Sequence, residues 1–217
     1  MSDQEAELRD RIVRLGRSAE ALGLVMHAQG NLSCRVPDTD LVLITPTHIP
    51  YSELEPGDLV TLDLRGRKVR GRHSPSSESS THLLAYRAHS EVGGCVHVEP
   101  PYLNALYCVG EQLPNILGNF VYLFGGKGLA VAPPMASGSE EFAERSLAAM
   151  GDRHGVVWQN HGLFCVGRDI RLAFERCVAA EQAARVYYLT LALDAGRPAP
   201  IPPEVQTEMI RAARRLV

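Results

Sequence analysis

The sequence predicts a mixed α/β/α layered fold, and three observations lead there. Strand-like and helical segments alternate along the chain, one strand pair is joined tightly enough to form an antiparallel hairpin, and 45% of the 217 residues are apolar, enough for one substantial core. The hairpin argues against a purely parallel, doubly wound sheet. The expected organisation is a single domain over residues 1–217, with a tail from about residue 196 that packs late or stays mobile.

The elements follow in order. Leu8, Ile12, Leu15, Ala19 and Leu22 recur at helical spacing and Gly23 supplies a stop, so the chain opens with an amphipathic helix. Leu41 to Thr45 and Leu59 to Leu64 are rich in strand formers, and Arg65-Gly66-Arg67 before Val69 marks the hairpin. After Pro75, the segment through Thr81 to Tyr86 has helical spacing with Glu78 in its first turn. Gly94 to Val98 reads as a short buried strand. Leu129 to Ala132, Val156 to Gln159 and Leu163 to Val166 read as further strands, and Ser139 to Met150 as a helix. Val121 to Phe124 reads best as a core strand. A long alanine-rich helix is expected from Ile170 to Leu193, broken by Pro198, Pro200, Pro202 and Pro203, with a terminal helix over Val205 to Leu216.

Composition excludes several function classes. The net charge of −3 and the lack of long basic stretches leave no electrostatic footprint for nucleic acid; the Arg211 to Arg215 cluster reads as a solvated helix end. No apolar run is long enough to span a membrane, and the polar, acidic start Met1 to Glu5 does not resemble a secretory leader. Five cysteines without CxxC spacing read as reduced thiols, so the expected compartment is the cytoplasm.

The chemistry-bearing residues are Ser76-Ser77-Glu78, His97-Val98-Glu99 and His161-Gly162. Alternate side chains of a strand share one face, so His97 and Glu99 can grip one ion while Val98 packs behind them, and His161 offers a third ligand. Three protein ligands leave a divalent ion with an open position able to polarise a bound oxygen. Glu78, unless it is itself a ligand, is then the proton-transfer group. His82, one helical turn beyond Glu78, reads as a supporting or packing residue.

Gly30-Asn31-Leu32-Ser33, Leu43-Ile44-Thr45-Pro46-Thr47, Ser76-Ser77-Glu78, Val96-His97 and Asn160-His161-Gly162, in that order, resemble the class II aldolase and adducin family. The resemblance runs from about Leu8 to Leu193 and is nearest to its L-fuculose-phosphate aldolase branch. It implies a central, mostly antiparallel sheet flanked by helices, and a fourfold-symmetric homotetramer with active sites between subunits. It further implies a lyase of carbohydrate metabolism that cleaves a (deoxy)ketose 1-phosphate, such as fuculose 1-phosphate or a 5-deoxypentulose 1-phosphate, to dihydroxyacetone phosphate and an aldehyde. Gly30, Asn31, Thr47, Ser76 and Ser77 fall at the family's phosphate site, Glu78 at its acid/base carboxylate, and His97 and His161 at its metal ligands. A turn, hydroxyls and amides at a helix start are donors suited to a phosphate dianion. One divalent ion per subunit is implied, zinc first.

Two positions depart from the family pattern. Glu99 stands where a histidine is usual; as a ligand its carboxylate is expected to preserve metal binding while widening the choice to manganese, cobalt or iron and lowering Lewis acidity, and the alternative is a Glu99 that faces elsewhere and a crippled site. His48 replaces a glycine in the phosphate loop. The family's tyrosine proton donor has no secure counterpart, since Asn119 falls at its place with Tyr122 the nearest tyrosine. Within the family, a methylthioribulose-phosphate dehydratase remains an alternative. A pentulose-phosphate epimerase is disfavoured by Glu78, where those enzymes carry aspartate, and by the chain's ending at Val217. A metal-free, adducin-like binding protein is disfavoured by Glu78, His97 and His161.

Overall fold

A computed structural model of the chain describes residues 3–193 and 196–213. The chain begins with α1 (Asp3–Ala21), ended by Gly23 at φ +69°. Then come β1 (Asn31–Arg35), β2 (Leu41–Ile44), a 3-10 turn at Pro56–Asp58, β3 (Val60–Asp63) and β4 (Lys68–Arg70). α2 (Ser79–Ala88), β5 (Gly94–Val98), α3 (Pro101–Cys108), α4 (Gly118–Leu123), β6 (Ala130–Ala132) and α5 (Glu140–Met150) form the middle. β7 (Gly155–Trp158), β8 (Gly162–Gly167), α6 (Ile170–Leu191) and α7 (Pro203–Ala213) follow.

The strands form one eight-stranded sheet in the order β4-β3-β2-β1-β5-β8-β7-β6. Every neighbouring pair is antiparallel except β6 with β7. This is the mostly antiparallel sheet between helical layers that the family resemblance implies. Because side chains alternate along a strand, the sheet feeds two cores. Leu32, Leu43, Val96, Val98 and Leu163 pack toward α1, α3, α4 and α6, whereas Val42, Ile44, Cys95, Phe164 and Val166 pack toward α2 and α5. That second face is polar in its middle. Asn31 and Ser33 of β1 alternate with Leu32 and Cys34, and they lie with His97 beneath α2; Asn31 is paired directly with His97 in the β1–β5 register.

Gly30 lets β1 enter this register. Its φ is +70°, and a Cβ there would lie 2.6 Å from the His97 carbonyl oxygen and 2.9 Å from Val25. Any side chain would push β1 away from the strand that carries His97.

Three local expectations are corrected. Val121 to Phe124 is helical, belonging to α4 and its cap: Phe120, Leu123 and Phe124 join the core that α6 helps to form, and that tertiary packing overrides strand propensity. β1 and α3 are additional elements. The terminal helix is met from Val205 to Ala213, while residues 214–216, including Arg214 and Arg215 of the basic cluster, lie outside the described residues, as do Met1 and Ser2. α7 packs on α4, with Asn115 donating to Gln206 at 2.8 Å and Met209 seated on Gly118. All five cysteines are free, four of them buried. Among the described residues, no helix is long and apolar enough to cross a membrane.

Candidate active site

The residues singled out in the sequence meet at one place. Gly30, Asn31, Thr47, Ser76, Ser77, Glu78, His97, Glu99 and His161 all line a single cleft of about 170 Å³ above the middle of the sheet, together with Ala28, Gln29 and Pro46.

Glu78 occupies the N-cap position of α2, where a side chain ordinarily caps the first turn. Here it makes no cap bond and turns into the sheet, 5% exposed. Its Oε2 accepts a hydrogen bond from Asn31 Nδ2 at 2.7 Å and lies 3.5 Å from His97 Nε2; its Oε1 lies 3.3 Å from His161 Nε2. Burial pushes the Glu78 pKa up, but the neighbouring imidazoles and the Asn31 amide outweigh it and hold the carboxyl below its usual range.

His97 sits on β5 with its ring against Trp158, centroids 4.5 Å apart. Its Nδ1 is 3.1 Å from the Leu163 carbonyl of the adjacent β8. A carbonyl only accepts, so Nδ1 carries the hydrogen and the lone pair is on Nε2, facing the cleft. Gly162 makes this approach possible, since a Cβ there would lie 2.7 Å from His97 Cε1. His161 stands in the turn between β7 and β8. Asn160 takes the left-handed conformation at φ +60° that the turn needs, and Asn104 of α3 holds the His161 carbonyl at 3.1 Å. Sequence reasoning missed Asn104 and Trp158, and quoted Gly162 in its motif without the spatial reason for it.

Ligand atoms of Glu78, His97 and His161 all lie within 4.8 Å of one another. Glu99 stands at the rim, its Oε1 4.0 Å from His97 Nε2. Burial raises its pKa, and the Glu78 charge raises it further against the opposing pull of His161. Two carboxylates and two imidazoles thus converge in one cleft. A divalent cation fits this donor set in both number and charge: it relieves the repulsion between Glu78 and Glu99, and a bare His97 Nε2 faces it.

At the Gly30 end of the cleft, the Thr47 loop and the Ser76 turn are tied by Thr47 N to the Ser74 carbonyl at 3.2 Å and Ser76 N to the Thr45 carbonyl at 3.1 Å. The Ser76 hydroxyl accepts from the Glu78 amide at 3.3 Å. Among the described residues, neither the amide nor the hydroxyl of exposed Ser77 is hydrogen-bonded, so both remain available where α2 begins. His48 keeps the glycine-like backbone of the loop, at φ +63°, with its side chain exposed and outside the cleft lining. Asn119 and Tyr122 do not line the cleft either.

Comparison with known proteins agrees with this geometry. Residues 10–188 match the family described as "Class II Aldolase and Adducin N-terminal domain", and the chain belongs to that family. It is 32% identical, over 95% of its own length and 94% of the relative's, to a 5-deoxy-D-ribulose 1-phosphate aldolase of Bacillus thuringiensis serovar kurstaki. A 5-methylthioribulose-1-phosphate/5-deoxyribulose-1-phosphate aldolase of Rhodospirillum rubrum is 31% identical over 88% of this chain and 85% of that one. The solved structure of an L-fuculose 1-phosphate aldolase superposes with a TM-score of 0.89 at 27% identity, covering 99% of this chain and 98% of the other.

The buried histidines give the fold an acid limit. Burial drives the pKa of His82 down to about 3 and that of His97 down to about 4, each against the opposing pull of Glu78. In the unfolded chain both take up protons near the ordinary value of about 6.5. The folded values lie below the unfolded ones, so stability is complete above about pH 6.5 and is lost as pH falls, by about 1.4 kcal/mol per pH unit for each group. Urea unfolding of the metal-free protein from pH 7 to 4.5 is expected to show this slope, and His82→Gln to remove about one proton's share of it. An unchanged slope in His82→Gln contradicts the assignment.

Proposed function

We propose that this class II aldolase cleaves a 5-deoxypentulose 1-phosphate, or a related deoxyketose 1-phosphate such as fuculose 1-phosphate, to dihydroxyacetone phosphate and a small aldehyde. The observation that carries the reading is the meeting of Glu78, His97 and His161 beside the Gly30, Thr47 and Ser77 loops in one cleft. The named activities of the similar aldolases supply the substrate class.

In this reading the ketose phosphate lies along the cleft with its phosphate against Gly30, Thr47, Ser76 and Ser77. The free Ser77 amide and hydroxyl, and the positive end of α2, are suited to the dianion. His97, His161 and Glu99 hold one divalent ion, zinc first, with Glu78 beside them. The ion, when bound, supplies positive charge that polarises the ketose carbonyl and stabilises the negative charge left on its oxygen. Glu78 handles the proton at the carbon next to that carbonyl. In aldol addition it removes the proton from the hydroxymethylene carbon of dihydroxyacetone phosphate, and in cleavage it returns one to the same carbon. With Asn31 occupying Oε2, the oxygen left to receive that proton is Oε1. The family's fourfold homotetramer, with the neighbouring subunit closing the open side of the cleft, and a cytoplasmic setting complete the proposal.

An assay of 5-deoxypentulose and fuculose 1-phosphates with zinc, manganese and cobalt is expected to release dihydroxyacetone phosphate; a diketone product would indicate dehydration instead, and no turnover of any member would contradict the reading. Glu78→Gln keeps the side-chain volume and is expected to lower turnover at least about a hundredfold with little change in KM.

Glu99 carries the second test. As a ligand, its replacement in Glu99→Ala lowers affinity for the divalent ion by at least about tenfold, alongside His97→Ala and His161→Ala. Affinity equal to the parent would exclude Glu99 from the ligand set and leave Glu78 as the carboxylate on the ion.

A further inference from the structure

Beneath the cleft a chain of five buried polar groups runs from α2 through β1 to Glu78. Tyr86 Oη lies 2.7 Å from Ser33 Oγ, and Ser33 Oγ lies 2.7 Å from His82 Nδ1. His82 Nε2 lies 2.5 Å from Asn31 Oδ1, and Asn31 Nδ2 lies 2.7 Å from Glu78 Oε2. None of the five residues is more than 5% exposed, and His82, Ser33 and Tyr86 are at most 1% exposed. They are brought together by two periodicities: Glu78, His82 and Tyr86 are spaced by four on one face of the helical segment, and Asn31 and Ser33 by two on the facing strand.

The hydrogens of this chain have one consistent direction. A carboxylate serving as base or ligand is ionised and only accepts, so Asn31 must present its NH2 to Glu78. Its Oδ1 then faces His82 and also only accepts, so His82 Nε2 carries the hydrogen. A fully buried imidazole with no anion in hydrogen-bond contact is neutral, which leaves Nδ1 bare. Ser33 therefore donates to Nδ1, and Tyr86 donates to Ser33. The reversed arrangement would set the Asn31 carbonyl against the carboxylate.

We propose that His82 is a positioning residue for the base: it fixes the orientation of the Asn31 amide, which in turn holds Glu78 Oε2 and leaves Oε1 as the oxygen that exchanges the proton. This inference rests on the proposed role of Glu78. It also changes the part played by Asn31, whose side chain is bound at both ends within the protein; the bridge to the base, and not a phosphate contact, is its main service. His82 itself does not line the cleft. Its ring packs edge-on against Phe164, centroids 5.1 Å apart, so an aromatic replacement keeps the packing while removing both hydrogen bonds.

Two measurements test the proposal. In the metal-free parent protein, the long-range proton–nitrogen spectrum of labelled histidines is expected to show His82 as the neutral Nε2–H tautomer, and an Nδ1–H tautomer or an imidazolium at pH 7 would overturn the relay. In the holoenzyme, His82→Phe is expected to lower kcat by at least about tenfold with KM for the ketose phosphate within about threefold. His82→Gln can place an amide donor where Nε2 reaches Asn31 Oδ1 and is expected to recover most of that loss. The double variant His82→Phe with Asn31→Ala should be no slower than Asn31→Ala alone, because one residue acts through the other. Losses that multiply, or a fully active His82→Phe, would overturn the proposal. A parent without aldolase activity would defeat the functional reading while leaving the nitrogen spectrum to decide the relay.

Discussion

A carboxylate buried against the middle of a sheet is the constraint on which the rest of this structure depends. Glu78 is 5% exposed, and an ionised group taken out of water must be repaid by donors and positive charge. The surrounding sequence provides them. Asn31 donates one hydrogen bond, two imidazoles stand within 3.5 Å, and the start of α2 adds the favourable end of a helix dipole. Gly30 and Gly162 are the spatial conditions for this, since each removes a Cβ that would strike the strand carrying His97. The same arrangement keeps the carboxylate anionic, reachable from the cleft and beside positions suited to a cation.

The two faces of the sheet divide the labour. Toward α1, α3, α4 and α6 the strands are apolar and supply the larger core. Toward α2 the central strands β1 and β5 give up apolar burial at Asn31, Ser33 and His97; Asn31 and Ser33 are satisfied by His82 and Tyr86 of α2 and by Glu78 at its start, and His97 by the Leu163 carbonyl of β8. Such a polar interior costs stability unless every member is paired. The continuous hydrogen-bond path from Tyr86 to Glu78 meets that condition, and it makes the base rigid at the same time.

Much of this was legible in the chain because the site residues come in short, ordered motifs. All nine candidate residues line the same cleft, and the helices and strands with clear periodicity fell close to their expected bounds. What was not legible has physical reasons. β1 is five residues long and its inward positions are polar, so Asn31-Leu32-Ser33 resembles a turn until β5 is beside it. α4 carries strand-forming side chains whose burial decides their conformation. α3 had a usable signal in Pro101 at its first turn, a position proline favours. The alternation rule placed Glu99 on the face of His97, but side-chain reach set it at the rim, 4.0 Å from His97 Nε2, while Glu78 came into the tighter group. The spacing of Glu78 and His82 was visible as one helical turn; the Asn31 bridge between them required the fold.

The central claim is that His97 and His161, with Glu99 at the rim and Glu78 beside them as base, converge on one divalent ion. Anomalous diffraction from crystals of the zinc-loaded protein tests it most directly. The account predicts one strong peak per chain, about 2.0–2.2 Å from Nε2 of both His97 and His161 and in reach of a carboxylate of Glu78 or Glu99. A peak elsewhere in the chain, or none between those two imidazoles at saturating zinc, would contradict it.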